Sequence, residues 1–273
     1  MSYGLTAYDF VQQVYYAQEK TLLDFWPEDD KFREVLMEAN LVLQELQNSE
    51  DWTWLRDRLV RGPCMQKPGT IPEFEVPEWV YKPSEVNHDC IYLHHWIPWC
   101  DDPDPIHYIT VPLASTGDNA YCKERQMNGV GIIHTTDVKL RAIRVGDTIT
   151  FNRVLTPFEA HRVAVMDVQR RIEQFHICNS SCEYVEINGH MVCTKEVDPE
   201  GNEIKHLTVI PDPNYVVMAT AARHAEGSPP ALARVAGLQD AAQKIMSAMR
   251  QNDAMATDAD WQDWDIPGYY EVI

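Results

Sequence analysis

The chain lacks the features that would assign it to the simplest functional classes. No apolar run approaches the roughly 18 residues of a membrane span, and the first ten residues, MSYGLTAYDF, hold neither a basic nor an apolar leader segment. Synthesis and function in the cytosol, or in a particle assembled there, is therefore the expectation. There is no Gly-x-x-x-x-Gly-Lys-Ser/Thr loop to cradle phosphates. The run Asn128-Gly-Val-Gly-Ile-Ile stops at two glycines, so nucleotide binding finds no support. A Gly-x-Ser-x-Gly nucleophile elbow is missing as well.

Positive charge is scarce. Lys and Arg number 23 against 42 Asp and Glu, a net charge of −19. That excludes a sequence-independent grip on nucleic acid, which needs cations against phosphate. It fits basic partners, or a surface that DNA slides past without sticking. Seven cysteines are an odd number, and no disulfide framework is expected.

What is present is enough for a full core in one or two domains: 273 residues, 45% hydrophobic and 24% charged. Thr6, with Asp9 three residues on, resembles a capping box before Phe10, Val11, Val14 and Tyr15, which share one helical face. After Trp26-Pro27, Asp29 or Asp30 caps a second helix with Phe32, Val35, Leu36, Ala39, Leu43 and Leu46 in an amphipathic stripe. Asp51 to Leu55 adds a short helix.

From Gly62 closely spaced prolines exclude a long helix. Strands are expected at Trp79–Tyr81, Cys90–Leu93, His107–Val111, Val138–Arg144, Thr148–Leu155 and Arg162–Phe175. Tyr184–Ile187 and His190–Lys195, joined by Asn188-Gly189, form the strongest hairpin signal. His206–Ile210 reads as a last strand. Asp212-Pro213 then starts a helix with Tyr215, Met218, Ala219 and Ala222 inward, and Ser228-Pro229-Pro230 starts another reaching Ala254. In that helix Ala233, Ala236, Ala241, Ala242 and Ala248 permit close helix approach.

The fold expected is α+β, a four-helix bundle interrupted by a β-rich insertion. Residues 1–61 form the first half of the bundle, 62–210 the insertion, 211–254 the second half and 255–273 an extended docking tail.

His176, Cys178, Cys182, His190 and Cys193 are candidate zinc ligands, with Cys-x-x-x-Cys inside structural-zinc spacing. Against that, alternation sends His190 and Cys193 to opposite faces of one strand. Buried thiols and surface histidines are the plainer explanation, as they are for Cys90, His94, His95, Cys100 and His107. No carboxylate pair stands out in so acidic a chain. Arg141, Arg144, Arg153, Arg162, Arg170 and Arg171 interleave with Asp137, Asp147 and Asp167, the pattern of a salt-bridged sheet face.

The last residues, Met255 to Ile273, carry no Lys or Arg, yet they hold Trp261, Trp264, Ile266, Tyr269, Tyr270, Val272 and Ile273. A solvating tail is poor in aromatics, and Pro267-Gly268 breaks any helix that would pack this one locally. These side chains are candidate anchors for a neighbouring subunit.

Helices Thr6–Gln18 and Asp30–Gln47, Trp52, Trp54 and Leu55 after them, the re-entry Ile210-Pro-Asp-Pro-Asn-Tyr-Val-Val-Met-Ala and the terminal aromatic tail together resemble the head-to-tail adaptor proteins of tailed bacteriophages. The resemblance implies a structural virion protein of the neck rather than an enzyme, without a cofactor. It implies a ring, usually of twelve copies, under the portal protein ring, with tail tube or nozzle proteins beyond and DNA passing through the channel. The tail would lie against portal subunits. The β-rich segment, of about 140 residues, is larger than in many adaptors. Two alternatives stand beside it: a metal-dependent enzyme or zinc-binding protein using the Cys/His-rich segment, and an intracellular interaction protein unrelated to virions.

Overall fold

The computed structural model describes residues 4–19, 30–63, 73–83, 90–97, 102–114, 139–175, 181–187, 190–197, 199–226 and 232–255. They divide into two units. The helical unit draws on Met1–Trp54 and Ile172–Thr257, and the sheet unit is Leu55–Arg171.

In the helical unit, α1 (Ala7–Glu19) starts where expected, with Thr6 Oγ1 accepting from the Asp9 N–H at 3.0 Å. Helix α2 (Asp30–Ser49) buries Phe32, Val35, Leu36, Ala39, Leu43 and Leu46, the stripe its periodicity predicts. Its C-terminal carbonyls need partners. Trp52, fully buried, supplies one by donating its indole N–H to the Leu46 carbonyl at 2.9 Å.

Segment 172–175 is fastened to α2 by side-chain amides. Asn40 bonds both the N–H and the C=O of Phe175, at 2.8 and 3.0 Å, and Gln47 accepts from the Ile172 N–H at 2.6 Å. The expected hairpin forms as β9 (Ser181–Ile187) and β10 (His190–Val197), with His190 opposite Ile187. The last two long helices are α4 (Asn214–Glu226) and α5 (Val235–Met255).

These helices do not make the expected four-helix bundle with a β insertion. The described residues hold five helices, including the single turn α3 (Pro157–Ala160), and a large curled mixed sheet of eight strands. Helix α4 is the hub, packed against α1, α2 and α5, while α5 packs mainly along α4. The inward face of α4 is Val216, Val217, Thr220, Ala221, Ala222 and Ala225, which leaves Met218 and Ala219 off it. Of the alanines expected to bring α5 close, Ala242 alone is buried. The expected strand at His206–Ile210 is a turn, with Leu207 at φ 61° and a single bridge from His206 to Leu5.

That bridge belongs to a clasp on the start of α1. Glu196, on β10 and 1% exposed, accepts from the Ala7 N–H at 2.7 Å and lies 3.3 Å from Nε2 of buried His206. The Phe175 ring sits between Phe10, at 4.7 Å, and His206, at 4.6 Å. Gly4 is required for the close approach, because a Cβ there would come within 2.6 Å of Lys205 Cβ. Glu196→Ala strands two buried donors, each costing about 1–3 kcal/mol. It should therefore lower stability in urea unfolding by about 2–4 kcal/mol, and Glu196→Gln by less.

The sheet unit has strands β1 (Arg56–Pro63), β2 (Glu73–Glu75), β3 (Val80–Pro83), β4 (Cys90–Ile97), β5 (Asp102–Ala114), β6 (Ala142–Val145), β7 (Thr148–Phe151) and β8 (Arg162–Arg170). The order is β1-β8-β4-β5-β6-β7-β2, with β3 also on β8. All pairs are antiparallel except β5 with β6. Strand β8 is the spine: β1 lines one edge, while β4 and β3 share the other, opposite 162–165 and 168–170.

The connectivity forces the curl. From the edge of β8 held by β3 and β4, strand β2 lies four strand spacings away, about 19 Å if the sheet were flat. Only residues 76–79 join β2 to β3, and five Cα steps reach at most about 18 Å. The connector is tied at both ends, Val76 N–H to the Asp147 carbonyl and Arg171 N–H to the Trp79 carbonyl, each at 2.6 Å.

One face of each strand fills a common core of Leu59, Ile91, Leu93, Val111, Ile149, Phe151, Ala164, Met166 and Val168, among others. The period of two places them there. Gly146, at φ 61°, allows the two-residue turn between β6 and β7, where Val145 faces Thr148.

Candidate assembly surface

Charge divides between the two units. Leu55–Arg171 holds 14 Lys and Arg against 15 Asp and Glu, whereas Met1–Trp54 with Ile172–Thr257 holds 9 against 22. Five more acids follow in Asp258–Ile273 with no base. Most of the chain's negative charge thus belongs to the helical unit and the C-terminal segment.

The arginines of the sheet unit do not form the single salt-bridged face expected from their interleaving with aspartates. Arg153 is buried and pairs in two-pronged fashion with buried Glu159, both contacts at 2.8 Å. Arg162 donates to the Leu93 carbonyl at 3.0 Å and lies under the exposed Phe158 ring, 4.3 Å from its centre. Asp167 holds Arg58 at 2.9 Å, a residue 109 positions away that local reading does not connect to it. Asp137 lies outside the described residues.

Three of the arginines do come together, along the segment Trp79–Tyr81. The Arg171 N–H holds the Trp79 carbonyl, and the Arg170 guanidinium lies 5.7 Å from the centre of the Trp79 ring. Arg144 donates to the carbonyls of Tyr81, at 3.2 Å, and Gly146, at 3.0 Å. Partial burial pushes the Arg144 pKa down; Asp147 opposes this, and the neighbouring Arg171 charge adds to it. Arg170 and Arg171 are exposed, and Trp79 is 37% exposed. Arg170 meets Asp57 at a loose 3.5 Å.

On the helical unit, the outward face of α2 carries Glu34, Met37, Glu38, Leu41 and Glu45 at helical spacing. Met37 is 59% exposed and Leu41 48%, large values for apolar side chains. Glu45 holds Arg223 of α4 at 2.9 Å. Glu38 Oε2 is buried with no hydrogen-bond partner among the described residues. Burial pushes the Glu38 carboxyl above its usual pKa, Arg223 pulls it back, and Glu34 and Glu226 raise it further.

Neither a scan against protein-family models nor a search of curated proteins finds a match to this chain. The surfaces are therefore read on their own chemistry.

Helix α5 buries only Leu238, Ala242 and Met249 of its 21 residues and ends at Met255, directly before the acidic and aromatic segment. Trp261, Trp264, Ile266, Tyr269, Tyr270, Val272 and Ile273, the sequence-predicted anchors, lie outside the described residues, as does Cys178. Cys182, His190 and Cys193 are placed by backbone alone. Cys182 pairs with Glu196 at the open end of the hairpin, while His190 pairs with Ile187 beside the turn. Five residues of strand separate those rungs, about 17 Å, which is too far for one tetrahedral ion to hold both at about 2 Å. Among the described residues no group of three or more His, Cys, Asp or Glu is placed to hold a metal. No helix among them is long and apolar enough to cross a membrane.

Sequence reasoning missed the Arg-Trp cluster, although Trp79 and the Arg170-Arg171 pair were visible. Their proximity arises from the register of β3 on β8, which sets Val80 opposite Arg170.

Proposed function

We propose that this chain is a structural subunit of a virus particle, acting like the head-to-tail adaptors it resembles: it joins copies of itself in a ring and docks beneath a portal ring. The observation that carries this reading is the exit of the chain. A 21-residue helix with three buried residues packs along α4 and hands over to a segment of five acids, two Trp and two Tyr without a base. Such a helix leaves most of its surface for neighbours, and aromatic anchors need a pocket on a partner.

The charge pattern supports the same reading. An acidic ring wall lets DNA pass without counterion-release binding. The outward face of α2 adds exposed Met37 and Leu41 to the surface open to a neighbour.

The test is deletion of 258–273 from the full chain. The truncated protein should keep its cooperative thermal transition and lose binding to portal rings by at least about a hundredfold, since two or more aromatic anchors at about 2 kcal/mol each are removed. Undiminished portal binding would refute the docking role. Loss of the unfolding transition would show the segment to be part of the chain's own core.

A further inference from the structure

We infer that the Arg144–Arg170–Arg171–Trp79 patch of the sheet unit receives the Glu34–Met37–Glu38–Leu41–Glu45 face of α2 from a second copy of the chain. The inference rests on the proposed ring assembly and names the surfaces that form it.

The two surfaces complement each other in three respects. The Arg170 guanidinium over the Trp79 ring, with Arg144 and Arg171 beside each other on the same segment of sheet, meets Glu34 and Glu38, with Arg223-paired Glu45 beyond, flanking Met37 and Leu41. The arginine side is already rigid, because β3 and β8 fix the backbone and two carbonyls hold Arg144. The glutamates are fixed on a helix, and the 11 positions from Glu34 to Glu45 span about 16 Å. Like charges are crowded on each surface, Arg144 beside Arg171 and Glu38 beside Glu34 and Glu226. Bringing the surfaces together relieves both. The apolar part is small but central: Met and Leu side chains against an indole ring.

Each copy thus offers two different surfaces, one for each of two neighbours. Repeated around an axis, such a contact generates a ring if the rotation closes, and a filament if it does not.

Analytical ultracentrifugation of the full chain across concentration, at low and at high salt, tests this. The parent should self-associate at low salt and dissociate as salt screens the contact. Arg170→Glu with Arg171→Glu should weaken association at least about tenfold, and so should Glu34→Lys with Glu38→Lys. An equimolar mixture of the two variants should associate again, since it restores opposite charge at every contact. A parent that stays monomeric at low salt, variants that associate like the parent, or a mixture no better than either variant would each overturn the proposal.

If the arginine pair variant loses its unfolding transition, Arg171→Glu alone is mixed with the α2 variant, and the same outcomes decide. Charge-dependent self-association without portal binding would uphold this contact and refute the portal reading. Portal binding untouched by either charge reversal would do the opposite.

Discussion

Replacing Glu159 by alanine is expected to destabilise the protein by about 3 kcal/mol, in the range for breaking a buried ion pair. Glu159 is 8% exposed and Arg153 7%, so the guanidinium left behind has little access to water. The same carboxylate also accepts from the Thr156 N–H at 2.8 Å, while Thr156 Oγ1 accepts from the Glu159 N–H, completing a capping box on α3. The alanine variant therefore loses the pair and the cap together. Removing both charges, with Arg153→Met and Glu159→Leu, should cost less than the single change, because no buried charge is stranded.

The pH dependence follows from the same contacts. Burial pushes the Glu159 carboxyl up, but hydrogen bonds from Arg153 and Thr156 and the Arg153 charge outweigh it and hold the pKa below the usual value. A lowered folded-state pKa contributes stability above the unfolded value, near 4.5, and that contribution is lost as pH falls through the folded pKa. Urea titrations of the parent and of Glu159→Gln should accordingly converge in acid. Parallel curves across that range would contradict this account of the pair.

Trp52→Ala should cost about 3–5 kcal/mol, the range for emptying a buried aromatic site. Trp52 is the largest fully buried side chain among the described residues, and its ring lies 5.6 Å from that of Trp54. Its N–H closes the end of α2, and the adjacent Thr53 N–H donates to Asp253 Oδ1 on α5 at 2.9 Å. The substitution thus removes packing and loosens the joint between α2 and α5. Trp52→Phe, which keeps most of the volume and loses the hydrogen bond, should cost about 1–2 kcal/mol. Equal effects of the two changes would show that packing at this site matters less than its burial implies.

What could be read from the chain followed from local periodicity. The α2 stripe and the β9–β10 pairing depend on neighbours in sequence, and they stand where expected. Elements that depend on distant pairing were misread. Strand β1, Arg-Asp-Arg-Leu-Val-Arg-Gly-Pro, fell within the expected bundle half because only Leu59 faces the sheet core. It is a strand because β8, more than a hundred residues on, offers it a full edge.

Strand β5 tolerates Pro103, Pro105 and Pro112, so prolines bounded helix there but not strand length. The bundle failed as a reading because four amphipathic helices do not have to close on one another: α4 takes three partners, and α5 is left mostly bare. The Arg-Trp patch was invisible for a related reason, since its members meet only through the pairing of β3 with β8.

The central claim, that the chain is a ring-forming adaptor-like subunit, is tested most directly by electron microscopy of the full-length protein mixed with portal rings. The account predicts a collar of several copies of the chain on one end of each portal ring, lost when 258–273 is deleted. Portal rings left bare, beside a chain that remains a separate monomer, would contradict it.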